Sequence, residues 1–306
     1  MRGRRGHRGG EYTRNERTLG AVLLAARGSF AHTAVMDPST RRVIVLCLAI
    51  ALAAVVFAAV EPALESVRGI PGPTIADSSR PFLAIFATLA AFAATTALAA
   101  FIARKVNSVV ALFVLGCGIG MLSMRTGAVR DLVFGESSLK LAAVECLVWT
   151  ALLAAACHLI FRFGGRLPDI PETHEDDIDS PVGRSARLSW LAGVAGVVAA
   201  WFAAVTLTKG QAVGAAVLGG FVTGALGRIL APRTTPVYLA VAPMAVFAVV
   251  YAFMAFTVQG DLATDLVQGG FPRLLRIMPL DMAAGALAGT SLGFGFMRSF
   301  AEPKTA

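Results

Sequence analysis

Long apolar runs with few or no charged residues alternate with short polar segments along most of the chain. The runs are about 17 to 23 residues long, and a helix of about 20 residues crosses a hydrocarbon core about 30 Å thick. We therefore expect an all-α fold, a polytopic integral membrane helix bundle of about eight transmembrane helices. The predicted spans are residues 43–60, 82–103, 108–124, 139–161, 188–208, 212–231, 237–256 and 278–297.

One polar segment, residues 162–187, is much longer than the other interior connections and reads RFGGRLPDIPETHEDDIDSPVGRSAR. Its acidic, proline-flanked composition is typical of a solvated linker rather than of a metal site. It predicts a cytoplasmic connector between two transmembrane halves of four helices each, residues 43–161 and 188–298. Residues 299–306 form a short tail.

The chain begins with an arginine- and glycine-rich arm, residues 1–42, which shows no hydrophobic periodicity and is predicted to be disordered. Its short apolar stretch is closed by Arg27 and lacks a cleavage signal, so a signal peptide is not predicted. Met36 stands directly before the first long run. Residues 1–35 are therefore also interpreted as a start-site artefact.

Composition excludes an ordinary soluble domain, because 56% of the residues are hydrophobic and 15% are charged. The net charge of +8 lies in the arm and in the short connections, which is typical of a membrane surface rather than of a nucleic-acid binder. The expected partner is the lipid bilayer, and a membrane-protein partner or a second copy of the chain is a further hypothesis. No nucleic acid is expected.

Cysteine usage gives no reason to expect a metal or a cofactor. All four cysteines lie inside apolar runs, without a CxxC motif or a histidine at ligand spacing. They are interpreted as small buried hydrophobic residues. The four are Cys47, Cys117, Cys146 and Cys157.

Basic residues are more frequent in alternate connections, which predicts that both termini and the connector are cytoplasmic. We therefore expect a multi-pass protein of a bacterial-type inner membrane.

Short matches between the halves suggest a duplication. The tetrapeptide FAAV occurs at 57–60 and 202–205, and the tripeptide DLV occurs at 131–133 and 265–267. Two parallel four-helix repeats of this kind occur in transporter folds. Chance similarity between alanine- and valine-rich helices is the alternative.

Two acidic residues fall inside predicted spans. Glu145 lies in the fourth span and Asp281 near the start of the eighth. Ionisable groups in spans usually face the bundle interior, so both are candidates for binding a substrate, a cation or a proton. The alternatives are that Asp281 caps its helix and that Glu145 pairs with Arg125 or Lys140.

Small residues at four-residue spacing predict close helix packing in the sixth and eighth spans. The glycines concerned are Gly220, Gly224, Gly285, Gly289 and Gly293. The sequence from Gly289 to Gly293 also matches GxSxG, with Ser291 as a candidate nucleophile. A nucleophile elbow requires a strand, a turn and a helix, whereas this context predicts continuous helix.

Three functions follow from these patterns. The first is a small-solute or ion permease that uses Glu145 and Asp281. The second is a structural or accessory subunit that packs partners, without enzymatic activity. The third is an intramembrane serine hydrolase at Ser291.

Overall fold

The computed structural model describes residues 38–135, 137–164, 184–231, 235–258 and 260–301, which are almost entirely helical and contain no β-strand. The prediction of an all-α polytopic helix bundle is confirmed. The α-helices are α1 (Pro38–Ala58), α2 (Pro81–Lys105), α3 (Ser108–Arg125), α4 (Val129–Phe134), α5 (Leu139–Gly164), α6 (Arg184–Ala203), α7 (Lys209–Leu230), α8 (Pro236–Thr257), α9 (Leu262–Gln268) and α10 (Pro279–Ala301). Short 3-10 helices lie at Glu61–Leu64, Ile75–Asp77 and Arg273–Arg276.

Seven helices in the described residues are long and apolar enough to cross a membrane, and the chain is a multi-pass membrane protein. They are α1, α2, α3, α5, α6, α7 and α8. The eighth expected span corresponds to α10, whose 23 residues extend over about 35 Å. Helix α10 is not among the seven, and its sequence includes Asp281, Thr290, Ser291 and several glycines, which lower its mean hydropathy.

The chain divides into two compact units, residues 1–45 and 46–306. Of the first unit the structure describes residues 38–45, which form the start of α1, so this helix begins five residues before the expected span. The predicted disorder of the arm concerns residues that otherwise lie outside the described part of the chain. The same holds for most of the acidic connector and for the end of the tail. All contacts described below are within residues 46–306.

Four connections gather at one end of the bundle, which we call the loop face. Arg68 donates to the carbonyl oxygen of Phe134 at 2.8 Å, and the Gly127 amide donates to the Gly72 carbonyl at 3.0 Å. Consecutive membrane helices run antiparallel, so the connections after every second span must meet at the same end. The loop face comprises the described residues of 59–80, 126–138, 204–208 and 258–278.

Helix α10 lies at the centre of the bundle, in contact with α3, α5, α7 and α8. Every residue from Met278 to Ser291 is buried. The contact with α7 is a backbone contact: a Cβ atom at Gly289 would lie 2.7 Å from the Phe221 nitrogen and 2.9 Å from the Gly220 Cα. A larger side chain at this position would therefore separate the two helices.

The other glycines named from the sequence lie at the same interface. Gly285 faces Ala216, and Gly293 faces Phe221 and Ala225 on α7. In the opposite direction, Gly220 faces α10 backbone, and a Cβ atom at Gly224 would lie 3.0 Å from the Thr290 Cα. Helix α3 approaches α10 as closely, since a Cβ atom at Gly116 would lie 2.6 Å from the Ala288 nitrogen.

Candidate functional site

Asp281 lies in the first turn of α10, and none of its surface is exposed (0%). The Lys209 Nζ atom lies 2.7 Å from Asp281 Oδ1. The Ser123 hydroxyl donates to the same oxygen at 2.5 Å, and the Met278 amide donates to Oδ2 at 3.0 Å. Each carboxylate oxygen of Asp281 thus has at least one donor, and one of these donors is a cation.

Local sequence explains why the carboxylate points into the bundle. Pro279 begins α10, and proline suits the first helical position because it lacks the N–H that would remain unpaired there. Asp281 is the third residue of the helix and accepts from the backbone amide of Met278, the residue directly before the helix, as the acidic residue of a capping box does. Its negative charge also suits the helix N-terminus. Asp281 is therefore both a cap and a partner in an ion pair.

Lys209 is the first residue of α7 and is held by the short turn after α6. In this turn the Gln211 side chain accepts from the Thr206 amide at 2.6 Å and donates to the Ala203 carbonyl at 3.0 Å. The Lys209 ammonium also donates to the Gly127 carbonyl at 3.0 Å, and its side chain is 14% exposed. The ion pair consequently joins the ends of α7 and α10 to the connection after α3.

Glu145 lies in α5 and is half-buried. Its Oε2 atom accepts from the Ile75 amide at 3.0 Å, and its Oε1 atom accepts from Trp149 Nε1 at 3.2 Å. Both ion pairs found in the described residues involve other carboxylates, those of Asp281 and Glu61. Glu145 is thus held by neutral donors.

The two basic residues considered as partners of Glu145 are engaged elsewhere. Arg125 forms an ion pair with Glu61 at 2.5 Å. The Lys140 ammonium lies over the ring of Phe256, 5.6 Å from its centroid. The sequence alternative in which either residue pairs with Glu145 is therefore wrong.

A cavity of about 260 Å³ lies beside Glu145, between α2 and α5. Its lining is almost entirely apolar; besides Glu145 it includes the buried hydroxyl of Thr88, which has no hydrogen-bond partner among the described residues. Several aliphatic side chains of the lining are exposed on the outer surface of the two helices: Ile85, Leu89, Leu141, Val144 and Val148. The cavity therefore opens sideways, where lipid surrounds a membrane protein.

Tyr251 lies in α8, the helix that contacts both α5, which carries Glu145, and α10, which carries Asp281. It is fully buried, packs against Phe247 with ring centroids 5.4 Å apart, and its hydroxyl has no partner among the described residues. The two carboxylates thus occupy separate sites, and one helix packs against both of the helices that carry them.

Sequence reasoning named Glu145 and Asp281 but missed Lys209, Ser123 and Tyr251. Lys209 was assigned to a turn, and Ser123 and Tyr251 look like ordinary residues of a span. The sequence contains one signal for these residues: a polar residue at the end of one span lies at the same end of the bundle as an acidic residue in another span. This signal does not identify which polar residue contacts which acidic residue.

Ser291 is placed in the uninterrupted helix α10, where its buried hydroxyl donates to the Ala288 carbonyl at 2.7 Å. Its flanking glycines contact α7. His158, the histidine of the fourth span, is exposed on α5. The described hydrogen bonds do not pair Ser291 with a base.

No protein-family model, curated protein or solved structure matches the chain. The fold and the site define a class: a multi-pass helical membrane protein with an ion pair buried where α3, α7 and α10 meet.

Proposed function

We propose that the protein is a small-solute or ion permease in which Asp281 and Glu145 bind the transported cation or proton. The observation that carries this proposal is the ion pair of the fully buried Asp281 with Lys209, at the loop-face end of the central helix α10. Charged groups inside spans are costly and mark ion or proton pathways more often than they serve as structure alone.

The ion pair provides a step in which one cation at Asp281 is exchanged for another. A proton or a cation that binds Asp281 competes with Lys209 for the carboxylate. Lys209 keeps the Gly127 carbonyl as a partner, so the ammonium can leave Asp281 without losing every hydrogen bond. Because the pair joins α7 and α10 to the connection after α3, this exchange would loosen the loop face.

Glu145 supplies a second carboxylate with spare acceptor capacity, since a carboxylate accepts about four hydrogen bonds and two are made here. It lies six residues from the start of α5, about 9 Å along the helix axis. In the proposed permease Glu145 binds the transported species and Asp281 responds to it through α8, which contacts both of the helices that carry them.

The test is flux into proteoliposomes, with proton movement followed by an entrapped pH dye and alkali cations by their isotopes. We expect Asp281→Asn and Glu145→Gln each to lower flux at least about tenfold, the effect of about 1.4 kcal/mol in a barrier. Asp261→Asn is the matched control, because Asp261 is an exposed carboxylate that caps α9. Flux equal in all four proteins would contradict the proposal.

A structural or accessory subunit is the second candidate, and the saturated surroundings of Asp281 favour it. Its carboxylate already receives Lys209, Ser123 and the Met278 amide, as a static brace would. This function predicts that a stoichiometric membrane partner co-purifies and that the isolated protein carries no flux. A hydrolase is least favoured, because helix packing accounts for both glycines of GxSxG.

The proposed setting is a bacterial-type inner membrane, with the loop face outside and both termini cytoplasmic. The support is the excess of basic residues in the remaining connections. The proposed two repeats are supported by element order, since each half has a short helix, α4 or α9, before its last long one. Reporter fusions at 106–107 and 204–208 test the orientation, and a cytoplasmic signal from the second would contradict it.

A further inference from the structure

The cavity between α2 and α5 has the features of a binding site that opens to the bilayer. Its volume of about 260 Å³ is close to the lower end of the range for small-molecule pockets, about 300 Å³. Apolar walls with a small number of polar groups are what such pockets use for affinity and orientation. Here the polar groups are Glu145 and Thr88.

The mouth of the cavity decides how a ligand enters. Val144 and Val148, on the rim, are each about half exposed, at 55% and 49%, on a helix long and apolar enough to cross the membrane. A hydrated ion would have to cross lipid to reach this opening. A molecule that already partitions into the bilayer would not.

The floor of the cavity decides the chemistry of the ligand's head group. Glu145 has no cation in hydrogen-bonding contact among the described residues, and its two donors are an amide and an indole. Thr88 is 2% exposed, and its buried hydroxyl has no hydrogen-bond partner among the described residues. A carboxylate in apolar surroundings is best compensated by a cation that donates hydrogen bonds, and an unpaired buried hydroxyl is costly.

We infer that this cavity binds an amphiphilic amine, with its ammonium group between Glu145 and Thr88 and its apolar chain between α2 and α5. A primary ammonium has three donors, so it can satisfy both oxygen acceptors at once. An anionic amphiphile would meet Glu145 with like charge. The inference rests on the role of Glu145 in the proposed function and names the substrate class at that carboxylate.

Trp149 makes the binding measurable, because it lines the cavity and donates to Glu145. In the double variant Trp190→Phe and Trp201→Phe it is the remaining tryptophan of three. Its fluorescence would be titrated in lipid nanodiscs with decylamine, decanol and decanoic acid. We expect a saturable change with decylamine at a concentration at least about tenfold below that for either other compound.

Three variants then test the assignment. In the same background, Glu145→Gln should raise the half-saturating concentration of decylamine at least about tenfold, and Thr88→Val about two- to fivefold. Val144→Phe fills the rim, leaves Glu145 unchanged, adds no second tryptophan and should remove the saturable response; it serves if the glutamine variant does not fold. Asp261→Asn, which caps α9 away from this cavity, should leave the response unchanged.

Decanol binding as tightly as decylamine would overturn the inference, and so would an unchanged response in both Glu145→Gln and Val144→Phe. Flux measurements separate this result from the proposed function. Saturable amine binding without any flux leaves the binding site in place and removes the permease. Flux without amine binding removes the inference alone.

Discussion

Asp281 and Glu145 occupy similar places along their helices but have opposite surroundings. Each lies near the start of a long helix, on the side of the loop face. Asp281 is fully buried and receives a cation and two neutral donors. Glu145 receives two neutral donors and adjoins a cavity that opens to lipid.

The difference shows what decides the role of an acidic residue in a membrane helix. When a carboxylate pairs with a cation of its own chain, its charge is compensated. Removing that carboxylate leaves the cation without a partner. A carboxylate that meets neutral donors beside an opening retains acceptor capacity for a ligand. Position along the helix is similar in both cases, so the neighbouring helices make the distinction.

The largest expected effect is on the Asp281 side. Lys209→Met leaves a fully buried carboxylate without its cation, and breaking a buried ion pair costs about 3–5 kcal/mol. Because Lys209 is partly exposed, we expect a loss at the lower end of this range, measured by denaturant unfolding in detergent.

Lys140→Met is the matched control, because it removes an ammonium that faces the Phe256 ring rather than a carboxylate. Such cation–π contacts contribute about 0.5–1 kcal/mol at exposed sites. Equal losses for the two lysine variants would mean that Asp281 does not depend on Lys209.

A smaller effect is expected at the hydroxyl that completes the Asp281 site. Ser123→Ala removes a hydrogen bond to a charged group, which contributes about 1.5–3 kcal/mol. Ser291→Ala removes a buried hydroxyl that donates to a neutral carbonyl, and should cost about 0.5–1.5 kcal/mol. Unfolding curves of the two variants give the comparison, and a larger loss for Ser291→Ala would contradict it.

On the Glu145 side, Glu145→Gln loses one hydrogen bond to a charged group but also removes a charge from apolar surroundings, where a charge is costly. Because the two effects offset each other, the free energy of unfolding should fall by only about 0.5–1.5 kcal/mol. The amide oxygen can still accept from one of the two donors, and no cation is stranded. The same detergent unfolding assay measures it. A loss as large as that of Lys209→Met would show that Glu145 has a strong charged partner.

The smallest effect on stability is expected for Tyr251, whose helix contacts the helices of both sites. Tyr251→Phe removes a buried hydroxyl without a partner among the described residues, so stability should stay within about 0.5 kcal/mol or rise slightly. Trp149→Phe is the control, since it removes a made hydrogen bond to Glu145. A clear loss of stability in Tyr251→Phe would indicate that the Tyr251 hydroxyl forms a hydrogen bond that links the two carboxylate sites.

The helices were largely predictable from the sequence, whereas the contacts of the site were not. Uncharged runs of membrane length leave little choice of structure, and the observed helices differ from the predicted spans by a few residues. Helix α1 begins before the predicted span and includes the polar residues Arg41 and Arg42. This is possible because a helix can extend beyond the hydrocarbon core.

The partners of Asp281 depend on tertiary structure. Ser123 lies 158 positions before it in sequence, and Lys209 lies between two predicted spans, where its charge gives no sign of its partner. Helix periodicity gives the face on which a residue lies but not the helix that covers it. The cavity beside Glu145 was equally hidden, because its walls come from α2, α5 and the 3-10 helix Ile75–Asp77.

The most direct test of the difference between the carboxylates is a pair of double-mutant cycles that share Lys209→Met. One cycle combines it with Asp281→Asn and the other with Glu145→Gln, with unfolding free energies measured in the same detergent. Residues in contact couple by about 0.5–3 kcal/mol, and distant ones add within about 0.5 kcal/mol. We predict coupling near the top of that range for Asp281 and additivity for Glu145; equal coupling in both cycles, or stronger coupling for Glu145, would contradict the account.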